Sequence, residues 1–156
     1  MDEFITFLGR YRDELKTALE NESEKRRALM GGDSQKLEAM LQLQQAETMK
    51  LQNLEQKRLD TQKQLGYEGF TAQQLIGAVQ DEAQEKRLAA VLGEITELAV
   101  GLQEQNRLSI ELANKNLKLM EQVAISAGID TQHGIYSPET AKGGTCSKDS
   151  SFEKMV

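Results

Sequence analysis

The stretch from Thr71 to Ala127 reads TAQQLIGAVQDEAQEKRLAAVLGEITELAVGLQEQNRLSIELANKNLKLMEQVAISA. Apolar residues recur in it at steps of three and four, the spacing of one helix face that packs along a neighbour. The members of this stripe are Leu88, Val91, Ile95, Leu98, Leu102, Leu112, Leu119 and Val123. The spacing predicts one continuous helix over residues 71–127, about 85 Å long at ~1.5 Å per residue.

The first half of the chain predicts two shorter helices, over residues 2–30 and 34–65, each roughly 45 Å long. Gly31 and Gly32 separate them, and Asp33 or Ser34 can cap the second helix through a side-chain oxygen. The apolar stripe of the first helix is interrupted at Glu22 and Lys25, which predicts exposed or loosely packed last turns. The two helices match in length and are expected to form an antiparallel hairpin.

The long helix is expected to begin at Thr71, because residues 66–70 contain two helix-breaking glycines. Thr71 and Gln74 have the spacing of a capping box, and Gly128 is expected to end the helix. The fold class is therefore all-α: an antiparallel helical hairpin plus a long third helix, forming an elongated three-helix bundle or coiled coil. Residues 1–136 are expected to form one helical domain, followed by a flexible tail over residues 137–156.

The third helix is nearly twice as long as the hairpin, so its second half is expected to overhang, bend back at Gly93 or Gly101, or meet another chain. Its second half also carries apolar residues outside the stripe and polar residues on it, namely Gln105, Ser109 and Asn116. Two interpretations stay open. The polar residues form a layer that sets register in a bundle or homodimer, or the surface binds and releases a partner helix. The candidate partner-binding residues are Leu108, Leu112, Asn116, Leu117, Leu119, Met120 and Val123.

Composition narrows the function classes. The formal net charge is −6 and the aromatic content is 4%, and an acidic chain without a clustered basic face disfavours nucleic-acid binding. No apolar run approaches the ~20 residues of a membrane span, and the first residues lack the pattern of a signal peptide. The single cysteine, Cys146, excludes an intrachain disulfide. We expect a cytoplasmic protein without membrane insertion.

No catalytic constellation is evident. His133 is the only histidine and has no second histidine or cysteine nearby to complete a metal site. Cys146 follows the polar, glycine-rich segment near the end of the chain, where nothing would lower its pKa. We therefore expect no enzymatic activity, no cofactor and no metal.

Three segments together resemble the FlgN-type flagellar export chaperones, over roughly residues 8–138. The first is the leucine-rich segment LEQKRL, residues 54–59, with its arginine. The second is EQNRL, residues 104–108, followed by NKNL, residues 114–117, similar to the asparagine-bearing stretch of that family's last helix. The third is IYSPE, residues 135–139, similar to a short Leu-Tyr-Gly segment, with serine in place of the glycine.

This resemblance implies a chaperone for the hook-associated proteins of the hook–filament junction. Such a chaperone would keep these subunits soluble and unassembled and deliver them to the type III export apparatus. It also implies that the C-terminal amphipathic helix binds the subunit and that Tyr136 contacts the export gate. The alternative interpretation is a homo-oligomeric structural coiled coil without chaperone activity, in which the same apolar residues pair with a second copy.

Overall fold

The computed structural model describes residues 1–128 of the 156-residue chain. These residues form four helices and no strand: α1 (Asp2–Gly31), α2 (Ser34–Gln64), α3 (Ala72–Ala78) and α4 (Glu82–Ser126). The all-α prediction is confirmed. The chain divides into two compact units, Met1–Asn116 and a second that begins at Leu117. The expected boundary at residue 136 and the tail over residues 137–156 lie outside the described residues.

The first two helices form the predicted antiparallel hairpin. Gly32 adopts the left-handed conformation, with φ 66°, just after the end of α1, where a residue with a Cβ would be strained. Asp33 caps α2, since its Oδ1 accepts a hydrogen bond from the Lys36 backbone N–H at 2.9 Å. An ion pair between Glu14 of α1 and Lys50 of α2 spans the hairpin at 2.7 Å.

The fourth helix lies parallel to α1, as polar contacts along both helices show. Asp2 accepts from Arg87 at 2.9 Å, Arg12 contacts Glu94 at 3.1 Å, and the Leu29 carbonyl accepts from Asn116 at 3.1 Å. Contacts with α1 therefore continue along α4 as far as Asn116. This is further than the midpoint near Gly101, up to which the sequence pattern predicts packing against the hairpin.

The prediction of one continuous helix over residues 71–127 is wrong. The capping box at Thr71 and Gln74 is present, but it starts the seven-residue α3. Val79 then adopts an extended conformation with ψ 125°. Asp81 starts α4, where its Oδ1 accepts from the Gln84 N–H at 2.8 Å. The break lets α3 bury Leu75, which is 1% exposed, in the bundle core.

The apolar core occupies one half of the bundle. It joins the N-terminal half of α1, the first turns of α4, and Leu75 of α3, with Leu51 and Leu54 of α2 packed against it. Fully buried leucines at its centre are worth about 1.5–3 kcal/mol each relative to exposure. The buried members are Phe4, Ile5, Leu8, Tyr11, Leu15, Leu75, Leu88, Val91, Leu92 and Ile95.

Both glycines that the sequence suggested as bend points lie within the helical span of α4. A Cβ at Gly93 would meet no atom within 4 Å, and one at Gly101 would lie 3.7 Å from Leu19 Cδ2, an ordinary contact. We expect Gly93→Ala and Gly101→Ala each to raise the free energy of unfolding by about 0.5–1 kcal/mol, because alanine favours the helix and restricts the unfolded chain. Urea denaturation followed by circular dichroism measures this.

The matched control for these variants is Gly32→Ala. At φ 66° an alanine is strained, so this variant should lower the free energy of unfolding by about 1 kcal/mol. A loss of stability in Gly93→Ala would contradict the helical environment described for that residue.

Candidate partner-binding helix

Polar residues on and beside the α4 stripe contact α1 inside the first compact unit. Gln105 accepts a hydrogen bond from Arg26, and Asn106 Oδ1 lies 3.5 Å from Lys25 Nζ. Asn116 donates to the Leu29 carbonyl, and Ser109 is 2% exposed. These residues lie where the polar-layer interpretation expects them, between helices of one chain.

The centre of this layer is an ion pair within α1. Glu22 and Lys25 are only 4% and 6% exposed, and Lys25 Nζ lies 2.7 Å from Glu22 Oε2. Lys25 also donates to Gln44 Oε1 of α2 at 2.9 Å. The prediction of exposed last turns in α1 is therefore wrong at these two residues. A charged side chain can stay buried here because three helices supply it with oxygen partners.

Two buried polar atoms of this layer have no hydrogen-bond partner among residues 1–128: Glu22 Oε1 and Ser109 Oγ. A buried polar atom that loses its water and gains no partner costs about 1–3 kcal/mol. The half of the bundle that contains the layer is therefore less favourably packed than the half that contains Leu8 and Leu88.

The seven candidate residues do not share one environment. Leu108, Leu112 and Asn116 are half-buried in the first unit. Their side chains are already engaged in part, and a charged replacement there would disturb the bundle itself. The remaining four candidates are exposed: Leu117, Leu119, Met120 and Val123.

The described part of the second unit is the end of α4, from Leu117 to Gly128. It is helical to Ser126, and the Gly128 N–H donates to the Ile125 carbonyl at 3.0 Å. Gly128 has φ 74°, as the predicted C-terminal cap requires. The large apolar side chains of this segment are each 58–67% exposed, and they are Leu117, Leu119, Met120, Val123 and Ile125. Ile125 lies off the stripe, so the sequence pattern did not select it.

The helical spacing of the stripe continues in the sequence past Asn116. Ser109, Asn116, Met120 and Val123 follow one another at steps of seven, four and three residues, which places them on one side of a helix. The side chains at 109 and 116 are buried or half-buried, whereas those at 120 and 123 are exposed. The end of α4 therefore has apolar side chains at core spacing that no residue of the described range 1–128 buries.

A ladder of ion pairs marks the solvent-facing side of α4. Arg107 pairs bidentately with Glu104 at 2.8 and 2.9 Å, and Lys115 pairs with Glu111 at 2.8 Å. Hydrogen bonds from Arg107 and Lys115 lower the pKa of the Glu104 and Glu111 carboxyls, respectively. Exposed pairs of this kind add little stability, but they keep this side of the helix hydrated.

A second polar network lies at the other end of the bundle and was missed by the sequence reasoning, which used Arg58 only as part of the segment LEQKRL, residues 54–59. Arg58 pairs bidentately with Glu55 at 2.7 and 2.8 Å and donates to Gln62 Oε1. Buried Gln62 donates to the carbonyls of Tyr67 and Phe70, both at 2.8 Å. The network joins the end of α2 to the loop before α3, which is a structural role.

Tyr11 packs beside this network. Burial, followed by the nearby Glu55 carboxylate, raises the pKa of the Tyr11 hydroxyl to about 12. The phenol is therefore neutral at physiological pH and serves as a core residue. The only sequence signal for the arrangement was the spacing of Glu55, Arg58 and Gln62 on one helix face.

Several predicted features fall outside residues 1–128, namely Tyr136, His133 and Cys146. Within that range, no group of three histidine, cysteine or acidic residues is placed to hold a metal ion. None of the four helices combines the length and the hydropathy that crossing a membrane requires. Comparisons with protein-family models, curated proteins and solved structures returned no match.

Proposed function

We propose that this chain is a cytoplasmic chaperone of flagellar type III export, which binds a hook–filament junction subunit through the end of α4 and delivers it to the export apparatus. The observation that carries the proposal is the set of five large apolar side chains on residues 117–126, each more than half exposed. An exposed patch of this kind on a helix is typical of a surface that receives another helix.

The resemblance of residues 104–108 and 114–117 to the asparagine-bearing stretch of FlgN-type chaperones supports the choice of partner. Junction subunits have terminal helices that pack together only in the assembled filament. An apolar helix of a chaperone can cover such a helix before assembly. Tyr136 is the proposed contact with the export gate, on the resemblance of residues 135–139 alone.

The energetics favour reversible binding. Covering about 60% of five apolar side chains contributes on the order of 5–8 kcal/mol before costs. Association itself costs at least about 4 kcal/mol in lost translational and rotational freedom. Micromolar affinity needs about 8 kcal/mol net, so a useful partner must also contact residues beyond this segment. Weak contacts spread over a helix suit a chaperone that has to release its subunit.

The test is a binding titration with a purified junction subunit from the same organism. We expect the double variant Leu119→Glu, Val123→Glu to weaken binding at least thirtyfold, because two charges replace apolar contacts at the proposed surface. The matched control is Val100→Glu, Ile110→Glu, on the same helix. Val100 and Val123 are both 58% exposed, so the control changes the same side chain at the same exposure. It should change affinity less than threefold.

Circular dichroism accompanies both titrations and should show unchanged helicity. Equal affinity of the unaltered chain and the Leu119→Glu, Val123→Glu variant would contradict the proposed surface. The alternative, a homo-oligomeric coiled coil, uses the same exposed side chains, and sedimentation separates the two. A monomer at low micromolar concentration that binds the subunit agrees with the chaperone, whereas a stable dimer that ignores the subunit agrees with the coiled coil.

A further inference from the structure

The two halves of the first compact unit differ in what holds them together. Between residues 4–15 of α1 and 88–95 of α4 the contact is an apolar cluster, which includes the fully buried Leu8 and Leu88. Between residues 21–29 of α1 and 105–116 of α4 the two helices are joined by hydrogen bonds between polar groups. The Glu22–Lys25 ion pair lies at the centre of this region. We call the second region the polar half and the first the apolar half.

The polar half also contains the two unpartnered buried atoms, Glu22 Oε1 and Ser109 Oγ. Both atoms regain water when the helices separate, and so does the Lys25 ammonium. Burial without a hydrogen-bond partner makes the closed arrangement less favourable for the two oxygens. Rehydration of the Lys25 ammonium offsets part of the free energy that opening costs. No such atoms occur in the described core of the apolar half.

We infer that the polar half opens as a separate unit, with α4 residues 105–116 leaving α1, while the apolar half stays closed. Proteins open locally in cooperative segments, and segments with few buried apolar contacts open first. The hinge region lies near Gly101 and Leu19, the level at which the apolar cluster ends.

Opening has a consequence for α4. Leu108 and Leu112, half-buried in the closed bundle, become accessible, and so does the stripe face between them. Their use by a bound subunit rests on the proposed function, because only then does a partner helix take the place of α1. The opening itself does not depend on that function and is measured on the isolated chain.

Amide hydrogen exchange of the full chain tests the opening. We expect amides of residues 21–29 and 105–115 to exchange at least tenfold faster than those of residues 5–15 and 88–98. The double variant Glu22→Leu, Lys25→Met should slow exchange in the polar half at least tenfold, because it replaces the ion pair by apolar side chains of similar size. Exchange in the apolar half should stay within threefold.

The matched control is Glu104→Leu, Arg107→Met. It removes an i, i+3 ion pair in the same half, as the test variant does, but this pair is about half exposed. Exchange in the polar half should then change less than threefold. Equal protection of the two halves in the unaltered chain would overturn the inference. So would unchanged exchange in a Glu22→Leu, Lys25→Met variant that retains native helicity.

Ser109→Ala provides a second, milder variant for the case in which the double variant does not fold. Removing the unpartnered hydroxyl should slow exchange in the polar half at least threefold. Asn114→Ala, at an exposed position of the same helix, controls for the better helix propensity of alanine. If Ser109→Ala slows exchange no more than Asn114→Ala does, the buried hydroxyl plays no part in opening and the inference fails.

Discussion

Truncation of Leu88 to alanine is expected to lower the free energy of unfolding by about 2–5 kcal/mol. Leu88 is 0% exposed and belongs to the apolar cluster formed with α1 and α3. The substitution removes the transfer free energy of the lost carbon atoms and leaves a cavity that the surrounding helices fill only in part. Urea denaturation followed by the helical circular dichroism signal measures the loss.

The control for this prediction is Leu41→Ala. Leu41 is an apolar residue of α2 that is 52% exposed, so the same truncation should change the free energy of unfolding by no more than about 0.5 kcal/mol. If Leu88→Ala costs less than about 1 kcal/mol, α4 does not bury this side chain and the register between α1 and α4 needs revision.

Replacement of Lys25 alone by methionine is expected to destabilise the closed polar half by about 3–5 kcal/mol. The Glu22 carboxylate would lose the one cationic partner that it has among residues 1–128, 2.7 Å away, while it remains nearly inaccessible to water. Because the apolar half has its own core, we expect the polar half to open and the apolar half to stay folded. Amide exchange should therefore accelerate more than a hundredfold in residues 21–29 and 105–115, and less than threefold in residues 5–15.

Two further variants distinguish the effect of leaving a buried charge unpaired from the general effect of replacing a lysine. Lys86 pairs with Glu82 at 2.6 Å on the surface, where both side chains are at least 75% exposed. Lys86→Met should leave exchange unchanged in both halves, since exposed pairs contribute about 0–1 kcal/mol. Adding Glu22→Leu to Lys25→Met should restore protection. A Lys25→Met variant with native exchange in the polar half would contradict the expected cost of leaving the Glu22 carboxylate buried without its partner.

Local sequence patterns predicted α1 and α2 well. The ends of α1 and α2, the cap at Asp33 and the cap at Gly128 depend on residues within a few positions of each other. The break at Val79 was missed because it depends on tertiary packing and not on residues nearby in the sequence. Nothing in residues 79–81 forbids a helix, and the break between α3 and α4 lets Leu75 join a core that α1 and α4 build together.

For the candidate partner-binding residues too, part of the answer came from the sequence and part from the tertiary structure. Its residues were selected by helical phase, and phase places Met120 and Val123 on the face of Ser109 and Asn116. The helical spacing does not show at which residue the packing of α4 against α1 ends. The structure shows contacts with α1 up to Asn116 and large apolar side chains that are exposed from Leu117 to Ile125. Among residues 1–128, the exposed apolar segment therefore starts at Leu117 and not at the middle of the predicted long helix.

The sequence by itself determined the all-α fold, the hairpin and the apolar excess near the end of α4, because helix periodicity and capping act over a few residues. Only the tertiary structure decided that Glu22 and Lys25 are buried, that Arg58 belongs to a network with Gln62, and which apolar residues of α4 stay uncovered. The burial of Glu22 and Lys25 and the extent of the cover over α4 depend on helices distant in the chain. The Arg58 network depends on how the loop after α2 folds back onto Gln62. From the sequence, a charged residue within an apolar stripe is expected to be exposed. Only the tertiary structure shows that three helices surround Lys25.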